Sequence, residues 1–421
     1  MMRSLTLVLS AGLCLAGITK EEYRERRAVL RKALPGGAVV VLLGNTETEK
    51  GDLRTTFIQD ANFLYFTGWR EPGAALVMTP EQDALFLPER NEVRERYTGR
   101  KLAAGDSEAT ETTGFDHVYP MTELQSRLTK IPGPIYTLTK GPQAEQVRQL
   151  SPGRELREVS KEATRLRMVK SPAEIELIQR SVDVTVESHT AAWKRAAPGL
   201  FEYQIAATMG QTYFDRGCER NAYPPIVASG PNSVILHYSA NRRRMDNGEL
   251  LLMDVGAECS DYAADVTRTI PVSGKFTPRQ REIYDVVLGA QKAAIAAAKP
   301  GMKLLGMDEN SLNGIAYRYA NSHGRDRDGQ PLGKYYLHGL GHHVGLEVHD
   351  PADPDVELQP GMVITIEPGI YIAGERIGIR IEDVVLITET GAKVLSQALA
   401  KEAKEVERAL VRRTIFQAST N

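Results

Sequence analysis

Between Glu249 and Asp383 the chain sets out five side chains of the kinds that bind divalent cations: Asp254, Asp265, His342, Glu367 and Glu382. Four of them fall into two pairs. The first lies in Glu249-Leu-Leu-Leu-Met-Asp-Val-Gly-Ala-Glu-Cys-Ser-Asp-Tyr-Ala-Ala-Asp-Val-Thr-Arg-Thr-Ile270, where two apolar-rich runs flank a short polar stretch in the pattern of an antiparallel hairpin. A turn centred on Cys259 and Ser260 would set Asp254 opposite Asp265. The second lies in Val363 to Tyr371 and Arg376 to Val385, which fold back about Gly374 and Glu375 and set Glu367 opposite Glu382. Directly opposed residues hold their Cβ atoms about 4.5–5.5 Å apart, and like charges there repel unless something neutralises them. A divalent cation would do that. Pro368 removes one ladder donor, so that strand is expected to be irregular just after Glu367.

Between the hairpins, His338-Gly-Leu-Gly-His-His-Val-Gly-Leu-Glu-Val-His349 holds four of the chain's 8 histidines. Carboxylates with one imidazole suit Mn²⁺, Co²⁺, Fe²⁺ or Zn²⁺ rather than Ca²⁺, and two such ions about 3.5–4 Å apart form a hydrolytic device.

These motifs resemble a known family. Met253-Asp-Val-Gly-Ala, Asp261-Tyr-Ala-Ala-Asp-Val-Thr-Arg-Thr269, His338 to Asp350, Thr365-Ile-Glu-Pro-Gly-Ile-Tyr371 and Gly378-Ile-Arg-Ile-Glu-Asp383 are similar to the aminopeptidase P and prolidase group of pita-bread metallopeptidases. The likeness extends to Phe276 to Asp285, Ile226 to Tyr238 and Phe63 to Gly73. It implies that Asp254 ligates one metal, that His342 and Glu367 ligate the other, and that Asp265 and Glu382 bridge them. It also implies a metal-bridged hydroxide as nucleophile, with Glu367 moving its proton to the leaving nitrogen. His237 and His349 correspond to histidines that hold substrate and oxyanion, and His338 to a further histidine lining the site. Arg380, two residues before Glu382 and on the same strand face, is expected to orient that carboxylate, with Tyr371 in a similar part. His343, His117, His189 and His323 are read as structural.

The reading is an Xaa-Pro aminopeptidase, acting on peptides with proline second and using two divalent ions, Mn²⁺ first among them. A prolidase cleaving only Xaa-Pro dipeptides is the alternative. Prolidase-type members carry an arginine in the loop corresponding to Asp350 to Pro360, whereas this loop is acidic and has no basic residue; Arg242 to Arg244 remain as possible substitutes. The acidic loop is expected to repel a dipeptide carboxylate and to favour longer peptides. A non-catalytic pita-bread peptide-binding protein and a metal-free hydrolase of the creatinase kind are further readings, opposed by the five retained ligands. Arg96-Tyr-Thr-Gly-Arg-Lys-Leu102 resembles a loop that reaches a neighbour's active site, which implies a homodimer or homotetramer.

The elements that must position these residues follow from periodicity. Apolar runs Ala38 to Leu43, Ala74 to Met78 and Ala84 to Leu87 alternate with charged, helix-compatible stretches such as Lys20 to Lys32 and Asn91 to Arg100, which predicts an α/β domain over 18–158. A catalytic α+β pita-bread domain is expected over 159–413, followed by a tail over 414–421. Its helices announce themselves twice, at Ser171-Pro-Ala-Glu174 and Thr277-Pro-Arg-Gln280, each a capping box with proline at the first helical position. They stop at Pro198-Gly and Pro300-Gly. Each unit is followed by one carboxylate hairpin, so the domain is read as two αβ halves in pseudo-twofold relation with metals between them.

Composition limits the remainder. The 421 residues carry 52 basic and 54 acidic side chains, net −2, which offers neither general nucleic-acid affinity nor a polybasic membrane anchor. Residues 1–17 have a basic start and an apolar run, a signal-peptide pattern too short to span a bilayer, with cleavage after Ala16 or Gly17 and hence export. The alternative is a misassigned start on a cytoplasmic enzyme. Beyond Cys14, only Cys218 and Cys259 remain, too few for a disulfide framework, so stability is expected to come from packing.

Overall fold

The apolar runs of the first third pair into a six-stranded sheet in the computed structural model, which describes residues 17–47 and 57–418. Its strands are β1 (Val39–Leu43), β2 (Ala75–Met78), β3 (Asp83–Leu87), β4 (His117–Pro120), β5 (Ile135–Thr137) and β6 (Leu156–Glu158), in the order β4-β3-β2-β1-β5-β6. The central strand β1 is apolar at every position because both faces are covered. Val40 and Leu42 join Leu30, Phe63 and Phe66 in one core, while Val39, Val41 and Leu43 join Leu124 and Val147 in the other. Residues 1–16 of the predicted signal segment lie outside the described residues.

The linker helix Ser160–Met168 leads into two similar units. In the first, Ser171 and Glu174 form the capping box of helix Pro172–Arg195, helix Glu202–Asp215 packs on it, and the strands Leu250–Val255 and Val266–Pro271 pair as a hairpin. In the second, Thr277 and Gln280 cap helix Pro278–Ala297, helix Leu312–His323 packs on it, and Val363–Ile372 folds back on Ile377–Ile387. Each unit builds its own apolar core, Leu177, Val182, Leu251 and Met253 in one, Ile283, Val287, Ile364 and Ile366 in the other. The two hairpins meet edge to edge, where Glu382 N donates to Thr267 O (3.1 Å) and Thr269 Oγ1 to Arg380 O (3.0 Å).

The second hairpin has the expected register: Gly369 pairs with Arg380 and Ile366 with Asp383, so Glu367 and Glu382 stand opposite at the interruption made by Pro368. The first differs. Its turn residues are Ser260 and Asp261, both with positive φ (55° and 68°), and Asp254 therefore pairs with Thr267 rather than Asp265. A two-residue hairpin loop demands left-handed backbone at both positions, which Asp tolerates better than Cys. The error shifts the pairing by two residues, so Asp265 becomes a diagonal neighbour of Asp254 on the same face; a slip of one would have put them on opposite faces.

Cys218 and Cys259 form a disulfide, which corrects the expectation that packing alone holds the chain. It ties the end of helix Glu202–Asp215 to the tip of the first hairpin across a sequence separation of 41. In the chain-entropy account a crosslink of that span stabilises by about 3–4 kcal/mol. The double variant Cys218→Ser/Cys259→Ser is expected to lose about that amount in chemical denaturation, with an unchanged denaturant slope for the folded baseline. Two titratable thiols in the native, unreduced protein would contradict the pairing.

Candidate metal centre

Two glycines let the ligand-bearing segments approach. A Cβ at Gly256 would lie 1.7 Å from Ala264 O, and one at Gly341 would lie 2.1 Å from Thr365 O. The second approach lays the histidine segment along strand Val363–Ile366, where Thr365 N donates to His342 O (2.8 Å) and His342 N to Thr365 Oγ1 (3.0 Å). His342 Nε2 thus stands 3.4 Å from both Asp265 Oδ2 and Glu367 Oε1. Ligand atoms of Asp265, His342 and Glu382 all lie within 4.8 Å of one another. Asp254 is held by Tyr223, whose hydroxyl lies 2.5 Å from Asp254 Oδ1 and also touches Asp265, and by the guanidinium of Arg380.

The structure therefore brings all five expected ligands together. Asp254, Asp265, His342 and Glu367 line a cleft of about 570 Å³, and Glu382 lies beneath its floor. His237, His338, His349 and Arg380 line the same cleft.

Four carboxylates so buried disturb one another. Burial, then the charges of Asp265, Glu367 and Asp254, push Glu382 well above the ordinary carboxylate range. Burial raises Glu367 to about 8 despite His342 and Arg380, and burial with Asp254 raises Asp265. Asp254 alone is held low, because Arg380 and Tyr223 outweigh its burial. Burial opposes a charge on His342, yet Asp265 and Glu367 hold it up at about 9. Glu382 Oε2 accepts from Thr267 Oγ1 (2.6 Å), while the buried Oε1 has no partner among the described residues. A surplus of buried negative charge, an unpartnered carboxylate oxygen and one imidazole fit a pair of divalent cations.

The other histidines are a different kind of group. Burial and Arg380 lower His338 to about 4, and burial with His342 and His237 lowers His349. Both are neutral near pH 7. His349 stands edge-on to His342 with ring centres 4.2 Å apart, and His338 Nε2 is 2.8 Å from the Tyr371 hydroxyl.

Arg380 does not orient Glu382. It reaches across to Asp254 and donates to Tyr371 (2.6 Å), while Glu382 is turned toward Thr267 by its backbone bond to the first hairpin. His343 is buried beside Lys170, His189 bonds Val266 O (3.0 Å), and His323 stacks on Tyr319; with His117 they stand apart from the cleft lining. The acidic loop also differs from expectation. Asp350 is fully buried between Arg167 (2.6 Å) and Lys170 (3.2 Å), and Asp353 pairs with Arg165 (2.9 Å), so these acids are neutralised by the linker helix and its exit and none of the loop lines the cleft. Nor is Arg243 free, since it binds Glu249 and Asp246.

Sequence reasoning missed the residues that hold the site in shape. Tyr223 precedes two prolines and carries no charge pattern. Asp350 follows His349 directly and accepts from Glu347 N (3.2 Å), closing the loop that carries the histidine; its place in His-Asp was the available signal. Buried Glu202 accepts from Ser229 N (2.8 Å), Tyr238 Oη (2.8 Å) and Arg243 N (2.8 Å), fixing the loop that carries His237.

Comparison with known proteins fits this geometry. The profile of the aminopeptidase P N-terminal domain matches residues 23–134, and that of metallopeptidase family M24 matches residues 176–389. The Xaa-Pro aminopeptidase of Haemophilus influenzae is 35% identical over 93% of this chain and 98% of its own. Two structures of Escherichia coli aminopeptidase P, one with the inhibitor Pro-Leu and one zinc-substituted with product, each superpose with TM-score 0.86 at 30% identity. The first covers 95% of this chain and 100% of its own, the second 94% and 99%.

The buried charge surplus has a measurable cost. Glu382→Gln keeps the shape but removes the cost of burying a carboxyl whose titration burial and its acidic neighbours push well above the ordinary range, so the metal-free protein should melt higher near neutral pH, by on the order of 2 °C. The same variant should lose most of the melting-point gain that Mn²⁺ gives the parent. Calorimetry in chelator and in Mn²⁺ checks both; a lower melting point in chelator would show that Glu382 is stabilising in the metal-free state.

Proposed function

The chain belongs to metallopeptidase family M24, and on that premise we propose that its cleft releases the N-terminal residue from peptides with proline second. It is a metal-dependent aminopeptidase. The observation that carries the reading is the convergence of Asp254, Asp265, His342, Glu367 and Glu382 under a cleft walled by neutral histidines.

Asp254, Asp265, His342, Glu367 and Glu382 would hold two divalent ions, which supply Lewis acidity and an activated water. Mn²⁺ is our first choice for both. Glu367 is our candidate to carry a proton, because it borders the cleft beside His342 and burial raises it to about 8. That proton matters at proline, whose nitrogen in the peptide bond is a tertiary amide and leaves as an amine only when protonated. His349 and His237 on the walls offer ring N–H groups to an oxygen that gains negative charge. Leu236, Leu305 and Val348 give the cleft apolar wall for a pyrrolidine ring.

The preference for longer peptides stands on a different feature from the acidic loop. Apart from histidines, Arg380 is the only cation among the described residues lining the cleft, and its guanidinium is engaged by Asp254 and Tyr371. Nothing there clamps the free carboxylate of a dipeptide. Three further readings belong to the proposal. Export is supported by the apolar run after Arg3 and by the Cys218–Cys259 bridge, since disulfides persist in oxidising compartments. A homodimer or homotetramer is supported by Val93 and Tyr97, exposed on helix Glu92–Thr98, which buries no residue of its own. The third is a chain without a membrane anchor; among the described residues no helix is long and apolar enough to cross a bilayer.

Purified protein loaded with Mn²⁺ should cleave Xaa-Pro-Yaa tripeptides with higher kcat/KM than Xaa-Pro dipeptides, and should cleave Xaa-Ala-Yaa little. Equal or faster dipeptide turnover would make it a prolidase, and no metal-dependent cleavage of any of them would overturn the proposal. His349→Ala should lower kcat by about 10² or more while two metals stay bound. Loss of metal together with activity would instead place His349 among the ligands.

A further inference from the structure

Pro368 leaves a defect between the two glutamates. At this point of the second hairpin Ile381 N reaches Pro368 O at 3.5 Å, the geometry of an antiparallel pair that should exchange two bonds. The return bond needs an N–H at position 368, and proline has none. Ile381 O is thus a buried acceptor without its ladder donor, one residue before Glu382. Leaving such a group unmet costs about as much as a lost hydrogen bond and frees the backbone to move.

The donor comes from helix Pro278–Ala297. Gln291, with no exposed surface in the middle of that helix, places Nε2 3.1 Å from Ile381 O and 3.2 Å from Ile366 O, the carbonyls immediately before Glu382 and Glu367. Lys401 Nζ donates to Gln291 Oε1 (3.0 Å), which fixes the direction of the amide. Nε2 also reaches Asp383 Oδ2 (3.2 Å), so both amide hydrogens have acceptors. The first half carries a related contact: Thr185, equally far past its own cap, accepts from Ala257 N (3.0 Å) between Asp254 and Asp265.

We propose that Gln291 is a positioning residue for the metal centre, replacing the N–H that Pro368 lacks and fixing the backbone spacing between Glu367 and Glu382. The proposal rests on reading those two glutamates as ligands. Gln291→Met keeps length and burial but has no donor, and outer contacts of this kind are worth about tenfold or more in metal affinity. Pro368→Ala restores an N–H to the ladder.

The test is a Mn²⁺ titration by calorimetry on the full chain, with folding checked by circular dichroism. Gln291→Met is expected to weaken Mn²⁺ binding about tenfold and to lower kcat with KM changed less than threefold. Adding Pro368→Ala to Gln291→Met should recover at least a third of the lost affinity on a logarithmic scale. Affinity within threefold of the parent overturns the proposal, and a weakening that Pro368→Ala does not relieve overturns the donor replacement. If Gln291→Met does not fold, Lys401→Met, which frees the amide to turn over, should weaken binding at least threefold; unchanged affinity there overturns the proposal equally. Parent protein that binds no Mn²⁺ would instead defeat the assignment of the ligands, a separate result.

Discussion

Four carboxylates share one buried floor, and most of the catalytic domain can be understood as what it takes to hold them there. Two like charges 5 Å apart repel by roughly 3 kcal/mol even at an effective dielectric of 20, and several such pairs exceed what one guanidinium and one imidazolium offset. The raised titration of Glu382, Glu367 and Asp265 is the mark of that imbalance. A site of this kind cannot be soft, since any freedom would be used to separate the charges. The first hairpin is therefore crosslinked, the two hairpins are bonded edge to edge, and Arg268 lies fully buried with Nη1 on Thr267 O (2.9 Å) and Glu382 O (2.5 Å) and Nη2 on Asp383 (2.7 Å).

The convergence of the two carboxylate pairs was legible in the sequence because hairpin arithmetic tolerates error in one direction. Glu367 and Glu382 came out opposed as expected, whereas Asp254 and Asp265 came out diagonal, two residues from the expected register. Side chains repeat every second residue on a face, so either arrangement delivers both carboxylates to the same side. Capping boxes at Ser171 and Thr277 were legible for a similar reason, being local signals that tertiary packing did not override. Partners chosen by distance in space rather than in sequence were not legible. Along its strand Arg380 stands nearest to Glu382, yet it pairs with Asp254 from the other hairpin. In sequence the acids after His349 have the look of a field facing substrate, although a helix nearly two hundred residues upstream neutralises Asp350 and Asp353.

That linker helix gives the N-terminal domain a physical connection to the cleft. Arg167 donates to Asn62 (2.9 Å) in the first domain and to Asp350 (2.6 Å) and Glu347 (2.8 Å) beside His349. Its charge is buried but matched, since Lys170, Arg167, Asp350 and Glu347 together carry no net charge. Breaking a buried pair costs far more than making it gains, so the arrangement acts as a register lock between the domains more than as a source of stability. The same domain boundary holds Arg26 against Glu174 (3.1 Å), which places a second buried pair at the start of the first catalytic helix.

The halves solve one problem in two chemistries, and the difference follows from proline. In the first hairpin the backbone between the aspartates keeps its N–H groups, so Thr185 needs only to accept one of them, and a short hydroxyl from the helix suffices. In the second, Pro368 deletes the N–H and leaves an acceptor, so the helix must supply a donor across a longer gap. Glutamine is the uncharged side chain that reaches that far with two N–H groups, and its carbonyl end has to be held so that it does not turn over. Lys401 does this from just before the last helix, and the same ammonium also pairs with Asp383. The carboxy-terminal segment is thereby drawn into the geometry of the metal centre without lining the cleft: it sets which way one buried amide points, and that amide fixes the backbone on which both glutamates stand.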